Sequence, residues 1–217
     1  MSEYTNVEKP FLEKLNQLGW LVIDQGFGIP QDISKSFRNN FEEIVLEKVF
    51  KDSIRKINLT KDGKEWLTEN QLDEIFRELT IHVGKNLYEA NKAVHELLIK
   101  GTGTDRNELT GESTSQIVKL IDFKNPENNS FIAINQFRIV TPGGPREGII
   151  PDIVLFVNGL PLVVIECKDK DVSEPLSEAE IQIRRYSNRR DDDYGAREGE
   201  EKLFYFNLFN IDTIAVY

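Results

Sequence analysis

The chain is poor in sulfur and imidazole, with one cysteine, one methionine and two histidines among 217 residues. The single cysteine, Cys167, excludes a disulfide framework and fits a reducing, intracellular compartment. The two histidines, His82 and His95, lack the cysteine or carboxylate spacing of a zinc site. They also lie far along the chain from Cys167, so that thiol has no neighbouring base and reads as an inert buried group rather than a nucleophile. No stretch approaches the roughly 20 apolar residues of a membrane span. The opening Met1-Ser2-Glu3-Tyr4 has neither the basic nor the apolar segment of a secretory signal. A phosphate loop is missing too, since Asp62-Gly63-Lys64 and Val83-Gly84-Lys85 lack the rest of that motif. Positive charge is scarce: 27 Lys+Arg face 37 Asp+Glu, a formal net charge of −10. That excludes a histone-like binder and weakens non-specific nucleic-acid affinity, which needs neutralised phosphates. It leaves open an enzyme of nucleic acids whose acids surround a metal. The class predicted is a soluble mixed globular domain with enough chain to bury a sizeable core.

The first half reads mostly as helix. Phe11, Leu12, Leu15 and Leu18 recur at helical spacing before Gly19, and Thr5 with Glu8 fits a capping box. Trp20 to Ile23 reads as a short strand and Gly26 to Pro30 as a loop. The apolar positions from Ser36 to Asn58 predict one amphipathic helix, followed by helices from about Glu69 to Leu79 and through Tyr88 to Leu98, ending at Gly101. Residues 101–116 are polar, a loop or wide hairpin. The period then changes. Strands are predicted at Ile117–Phe123, Phe131–Val140, Ile153–Val157 and Leu162–Cys167, the last two joined by the hairpin signal Asn158-Gly159. Pro142-Gly143-Gly144-Pro145 reads as a tight connection, Glu178–Asn188 as a helix, and Leu203–Phe206 and Thr213–Val216 as strands. The chain stops at Tyr217 within apolar sequence, which predicts a piece of a longer protein.

One constellation carries chemistry: Pro151-Asp152, the hairpin, then Glu166-Cys167-Lys168. Along a strand side chains alternate, so Glu166 and Lys168 share a face and Cys167 takes the other. Asp152 lies about six residues before the turn and Glu166 about six after it, which brings two carboxylates and an ammonium together. Carboxylate oxygens suit Mg²⁺, and a lysine beside them offsets transition-state charge. The pattern is short, and its ordinary reading is a turn aspartate plus an edge-strand ion pair. Against that, Val163-Val164-Ile165 reads as a buried central strand running straight into charge, which is costly without a partner or a metal.

These residues, with Ile121-Asp122-Phe123, Asn128-Asn129-Ser130-Phe131, Asn135-Gln136-Phe137 and the run Asn158-Gly159-Leu160-Pro161-Leu162-Val163-Val164-Ile165-Glu166-Cys167-Lys168, resemble the N-terminal nuclease domain of type I restriction enzyme R (restriction) subunits, a branch of the PD-(D/E)xK superfamily. Val7-Glu8 through Gly19-Trp20 is similar to that family's opening helix, and Gln182 to Tyr186 to its Q-x-x-x-Y motif. The resemblance implies an α/β fold, a mixed central sheet flanked by helices with a helical N-terminal region: a single domain over 1–217, about 1–110 mostly helical and about 111–217 the sheet core. It implies Asp152 and Glu166 as metal-binding carboxylates, Lys168 as catalytic lysine, and Gln182 and Tyr186, one helical turn apart, as residues that brace the site or contact DNA phosphates. Ordinary helix packing is the rival for the latter pair. Glu8, on the side of Leu12 and Leu15, reads equally as an extra acid of the site and as the capping-box partner of Thr5.

The function implied is Mg²⁺-dependent hydrolysis of double-stranded DNA, as part of a type I site-specific deoxyribonuclease of the bacterial or archaeal cytoplasm. A downstream ATP-driven motor and the methyltransferase and specificity subunits are the implied partners; ATP serves the motor alone, and no membrane is involved. Two alternatives stand beside it: a non-catalytic docking module between motor and methyltransferase, which the acidic surface favours, and a related nuclease of DNA repair.

The charge generates a prediction. The basic cluster Arg184, Arg185, Arg189 and Arg190 is followed at once by Asp191, Asp192 and Asp193, which leaves Arg184 and Arg185 as the only DNA track. The isolated chain should bind duplex DNA poorly and cleave it inefficiently, because phosphate contacts supply most non-specific affinity. A gel-shift series at about 150 mM salt checks this; sub-micromolar binding would contradict it.

Overall fold

The strands of the second half are apolar without alternation because the sheet they form is covered on both faces. The computed structural model describes residues 3–82, 85–105, 115–141, 143, 148–189 and 198–214. The central sheet has five strands, β1 (Leu21–Ile23), β4 (Phe131–Asn135), β5 (Ile153–Val157), β6 (Leu160–Lys168) and β7 (Phe209–Ile214), in the order β1-β4-β5-β6-β7. It is mixed: β4, β5 and β6 are antiparallel neighbours, while β1 joins β4 and β7 joins β6 in parallel. A separate antiparallel pair, β2 (Thr102–Thr104) and β3 (Gln116–Val118), makes a wide hairpin whose connecting residues 106–114 lie outside the described residues.

Alternate residues of β4 to β6 enter two cores. Ala133, Ile153, Leu155, Val163, Ile165 and Cys167 pack beneath α1 (Lys9–Gln17), α2 (Glu47–Ile57), α3 (Glu69–Thr80) and α4 (Leu87–Lys100). Ile132, Ile134, Val154, Phe156 and Val164 pack beneath α5 (Pro175–Tyr186) and α6 (Leu203–Phe206). α3 and α4 start where their sequences supply caps: Thr68 with Gln71 and Asn86 with Glu89 form capping boxes, and Gly101 ends α4 at positive φ. Among the described residues no helix is long and apolar enough to cross a membrane.

The β5–β6 hairpin turns on Asn158 and Gly159, both at positive φ (51° and 79°) as a two-residue turn of this hand requires. Near the turn Phe156 pairs with Pro161; farther out Leu155 pairs with Val163, so Leu162 is an extra residue on β6. Without that bulge Asp152 would stand opposite Ile165. With it, the register Ile153–Ile165 brings Glu166 opposite Asp152 and onto the same face. The bulge supplies the residue that simple counting from the turn leaves out, and it sits next to a proline that cannot donate to a ladder.

The structure corrects several boundaries. The helix expected over Ser36–Asn58 is confined to α2. Before it, Phe37 sits at φ 57°, and the Asn40 side chain accepts from the backbone of Glu42 and Glu43 while Asn39 and Asn40 donate to the Glu43 carboxylate; local side-chain bonds outcompete the helix there. The strand expected at Ile117–Phe123 ends at Val118, because Asp122 accepts from the N–H groups of Lys124 and Asn125 and starts a turn. The strand from Phe131 ends at Asn135, where Gln136 turns to φ 48°, and beyond it Ile139 forms an isolated bridge with Ile149. Leu203–Phe206, expected as a strand, is the helical turn α6: short apolar runs do not declare their period, and the Asn91 amide donates to the carbonyls of Phe204, Tyr205 and Asn207 at its end. The last strand starts at Phe209 rather than Thr213. The helix expected from Glu178 starts at Pro175 and ends at Tyr186. Thr5 and Glu8 form no capping box, since Tyr4–Glu8 is a π-helical turn without a side-chain cap and runs straight into α1. The connection at 144–147 and the run Arg190–Asp193 lie outside the described residues.

Gly159 is the tightest joint between the hairpin and the helical layer. Its carbonyl accepts from Leu46 N–H (2.9 Å), and a Cβ there would lie 2.6 Å from the Leu46 oxygen and 2.8 Å from the Phe50 nitrogen. Gly159→Ala should therefore destabilise the chain by about 2–3 kcal/mol, combining positive φ with overlap against backbone. Denaturant unfolding measures this, and a loss under about 0.5 kcal/mol would show that the joint adapts.

Candidate active site

The site lies where β6 outruns β5. β5 begins at Ile153, so the N–H of Cys167 has no strand partner on that side and donates instead to Asp152 Oδ2 at 2.7 Å. That bond holds the Asp152 carboxylate against the end of β6. Glu166, completely buried, accepts from Lys168 Nζ at 2.7 Å through Oε1, while its Oε2 has no hydrogen-bond partner among the described residues. Cys167 points the other way, into the helical-layer core.

A third carboxylate arrives from the N-terminus. Glu8 is buried at 2% exposure, accepts from Gln136 Nε2 at 3.1 and 3.0 Å and from Asn135 Nδ2 at 3.4 Å, and comes within 4.8 Å of Asp152 and Glu3, oxygen to oxygen. The N-terminal turn is tied to the end of β6: Asn6 donates to Asp169 Oδ2 (2.6 Å), and Asp169 N–H donates to Glu3 (3.1 Å). On the other flank Gln25 N–H donates to Asn135 Oδ1 (2.6 Å), and the Gln25 amide donates to the carbonyls of Asn135 and Gln136.

The electrostatics follow from crowding acids out of water. Burial, then the charges of Asp152 and Glu3, push Glu8 up to about 7 against the pull of its amide donors. Burial raises Asp152 to about 6 despite the Cys167 N–H and the Lys168 ammonium. Glu166 is raised well above the ordinary carboxylate range by burial and by Asp152. Lys168 is pulled down by burial, but Glu166 and Asp152 outweigh that and hold it protonated. The Cys167 thiol is pushed up by burial and by the surrounding acids, so it stays protonated.

Asp152, Glu166, Lys168 and Glu8 are thus one cluster. Gln182 and Tyr186 stand behind it: Gln182 Nε2 donates to the Tyr186 hydroxyl (2.8 Å), which donates to the carbonyl of Ile150 (3.0 Å), two residues before Asp152. Tyr186 is 1% exposed, so its hydroxyl serves this brace and has no path to a phosphate. Arg184 pairs with Glu180 (2.6 Å) and Arg185 lies over the Tyr186 ring (4.8 Å). Sequence reasoning gave no role to Glu3, Gln25, Asn135 or Gln136. No periodicity reveals them, for Gln136 meets Glu8 across 128 residues of chain.

The family described as type I restriction enzyme R protein N terminus matches residues 1–215. The type I restriction enzyme HindI endonuclease subunit of Haemophilus influenzae is 31% identical over 169 residues, 78% of this chain and 15% of the relative. Two putative type I restriction enzyme endonuclease subunits of Methanocaldococcus jannaschii, MjaIXP and MjaVIIIP, are 27% identical over 80% of the chain and 28% over 88%. The chain spans only 15–17% of the length of these curated relatives.

The raised acids set the pH response. Glu8 and Asp152 keep their protons in the folded chain up to about 7 and about 6, while the unfolded chain releases them near 4.5 and 3.8. The folded state binds more protons between those values, so metal-free stability should fall as pH rises from about 4 to about 7. Asp122 acts oppositely: hydrogen bonds from Asn128 and the Asn125 backbone hold it at about 2, so its contribution is lost only in stronger acid. Glu8→Gln should flatten the fall between about pH 5 and 7. Melting temperatures of both proteins in EDTA across that range check this; parallel curves would mean that Glu8 is not held protonated.

Proposed function

The chain belongs to the family of type I restriction enzyme R protein N termini, and on that premise we propose that it is a metal-dependent nuclease domain that hydrolyses phosphodiesters of double-stranded DNA. One observation carries the reading. Glu166 Oε2 is buried without a hydrogen-bond partner among the described residues, beside an Asp152 whose charge opposes its ionisation. Two ionised carboxylates in one buried place repel each other, and a divalent cation between them relieves the repulsion and engages the orphaned oxygen.

Asp152 and Glu166 would hold that ion, with Glu8 beside them. The donors are all oxygen and the Cys167 thiol faces the opposite core, so the set suits a hard cation such as Mg²⁺. When bound, the ion supplies positive charge to a phosphate oxygen and acidity to a water molecule. The chain's own residues do the rest. Cys167 N–H keeps Asp152 aimed. Lys168, protonated and fixed on Glu166, presents an ammonium to the charge that develops on the phosphoryl oxygens and orients the attacking water. Tyr186 and Gln182 brace the segment that leads into Asp152.

The rest of the longer subunit is an ATP-driven motor that delivers the duplex at high effective concentration, which offsets the weak intrinsic affinity expected of a −10 chain. Methyltransferase and specificity subunits complete the assembly. A docking role alone is disfavoured by the same observation: a scaffold has no use for an orphaned carboxylate buried against a second one.

Asp152→Asn tests the proposal, because the amide oxygen still accepts from Cys167 N–H while the charge is gone. In the full-length protein, assembled with its partner subunits and ATP, plasmid cleavage should fall by on the order of 1000-fold, the several kcal/mol that a held divalent ion provides. Metal-free melting temperature should be unchanged or raised. Retained cleavage, or a large drop in melting temperature, would make Asp152 a structural turn residue.

A further inference from the structure

Gln136 hydrogen-bonds both to Glu8 and to the backbone of Asp152. Its N–H donates to the Asp152 carbonyl at 2.7 Å, and its side-chain amide spans both oxygens of Glu8. It does so from φ 48°, a left-handed conformation that a side-chain-bearing residue adopts at a cost. The conformation has a geometric consequence. Consecutive residues of a regular strand point to opposite faces, so Asn135 and Gln136 could not both reach one carboxylate. The left-handed turn at Gln136 lets both do so.

Asn135 does not duplicate this role. Its amide engages the neighbouring loop, accepting from Gln25 N–H at 2.6 Å and donating to the Gly26 carbonyl at 3.1 Å, and it meets Glu8 only at 3.4 Å. The shorter bonds to Glu8 are those of Gln136. Glu8 itself belongs to the N-terminal turn, whose ties to the end of β6 run through Asn6 and Glu3 to Asp169 and leave the Glu8 carboxylate to be held by its amide donors.

We propose that Gln136 is a positioning residue that clamps the Glu8 carboxylate beside Asp152 and so completes the cation site. The proposal rests on the nuclease reading and adds to it the element that brings the N-terminal acid into the site. Partners that orient metal ligands typically change metal affinity by about 10–100-fold when removed. The strained backbone at Gln136 is then the conformation that lets the clamp reach.

Mn²⁺ titration of the 217-residue chain, followed by electron paramagnetic resonance without DNA, tests the proposal independently of cleavage. Two variants keep the backbone intact, since asparagine and glycine both accept positive φ and keep the N–H to Asp152. Gln136→Asn shortens the side chain by one methylene; Gln136→Gly removes it. Both should weaken Mn²⁺ binding by about tenfold or more, with metal-free melting temperatures close to that of the unsubstituted chain. Glu8→Gln should weaken it similarly, and adding Gln136→Asn to Glu8→Gln should then weaken it no further. If the unsubstituted chain binds Mn²⁺ and Asp152→Asn abolishes binding, yet both Gln136 variants bind as the unsubstituted chain does, the positioning role is overturned and the nuclease reading survives. If the unsubstituted chain binds no Mn²⁺, both fall together.

Discussion

Three carboxylates, from the N-terminal turn, the residue before β5 and the end of β6, are buried around Asp152, which neighbours both Glu8 and Glu166, and the surrounding structure exists in large part to hold them there. Each loses hydration, which raises its pKa, and the charge of Asp152 raises Glu8 and Glu166 further. Left to relax, such a cluster would open to water. Bonds that close around it prevent this: Cys167 N–H on Asp152, the Lys168 ammonium on Glu166, the Gln136 amide on Glu8, and the Asn6–Asp169 contact that binds the N-terminal turn to the strand end. Only one of these partners, Lys168, carries a countercharge. The metal-free acids answer by holding on to protons, and on the proposed reading a divalent cation would take the place of those protons.

Rigidity for such a site has to come from outside it. β6 supplies it by being buried along all nine of its residues, with a core on each face. The far end of the hairpin is pinned by a polar network. Asn158 is fully buried, accepts from Ser130 N–H, and donates to Leu120 O and to Asn129, whose own amide bonds back to the carbonyls of Asp122 and Pro126. Buried polar groups with all their partners specify one arrangement and resist sliding. Asp122, Asn128, Asn129 and Asn158, which carry the family resemblance outside the charged cluster, therefore hold the turn, and through the fixed register of β5 and β6 they hold Asp152 opposite Glu166.

The helical layer shows where local chemistry overrides pattern. The spacing of Phe37, Phe41, Ile44 and Val45 is helical, yet the chain there follows asparagine-to-backbone bonds and the stacking of Arg38 on Phe137 at 3.7 Å. That guanidinium, buried and pushed down to about 9 by loss of water, donates to the carbonyls of Glu43 and Arg138 and so ties the irregular segment to the one that follows β4. α6 errs in the other direction: four apolar residues suit a strand, but each side of the turn finds a different core, Leu203 and Phe204 in one and Phe206 in the other.

Reading residues alone was enough for whatever depends on neighbours close in sequence. The hairpin at Asn158-Gly159, the helix ending at Gly101, the opposite facing of Glu166 and Cys167, and the family to which the chain belongs were all legible, because each follows from periodicity, turn chemistry or a contiguous motif. Folding decided the rest. Counting about six residues on each side of the turn puts Asp152 near Glu166, but their direct opposition comes from the bulge at Leu162, which supplies the residue that sets Ile153 against Ile165. Whether Glu8 caps a helix or joins the acids was undecided until Gln136 and Asn135 met it from more than a hundred residues away. Contacts of that kind leave no periodic trace, since the side chains that make them are selected by where two distant segments cross and not by the segment each belongs to.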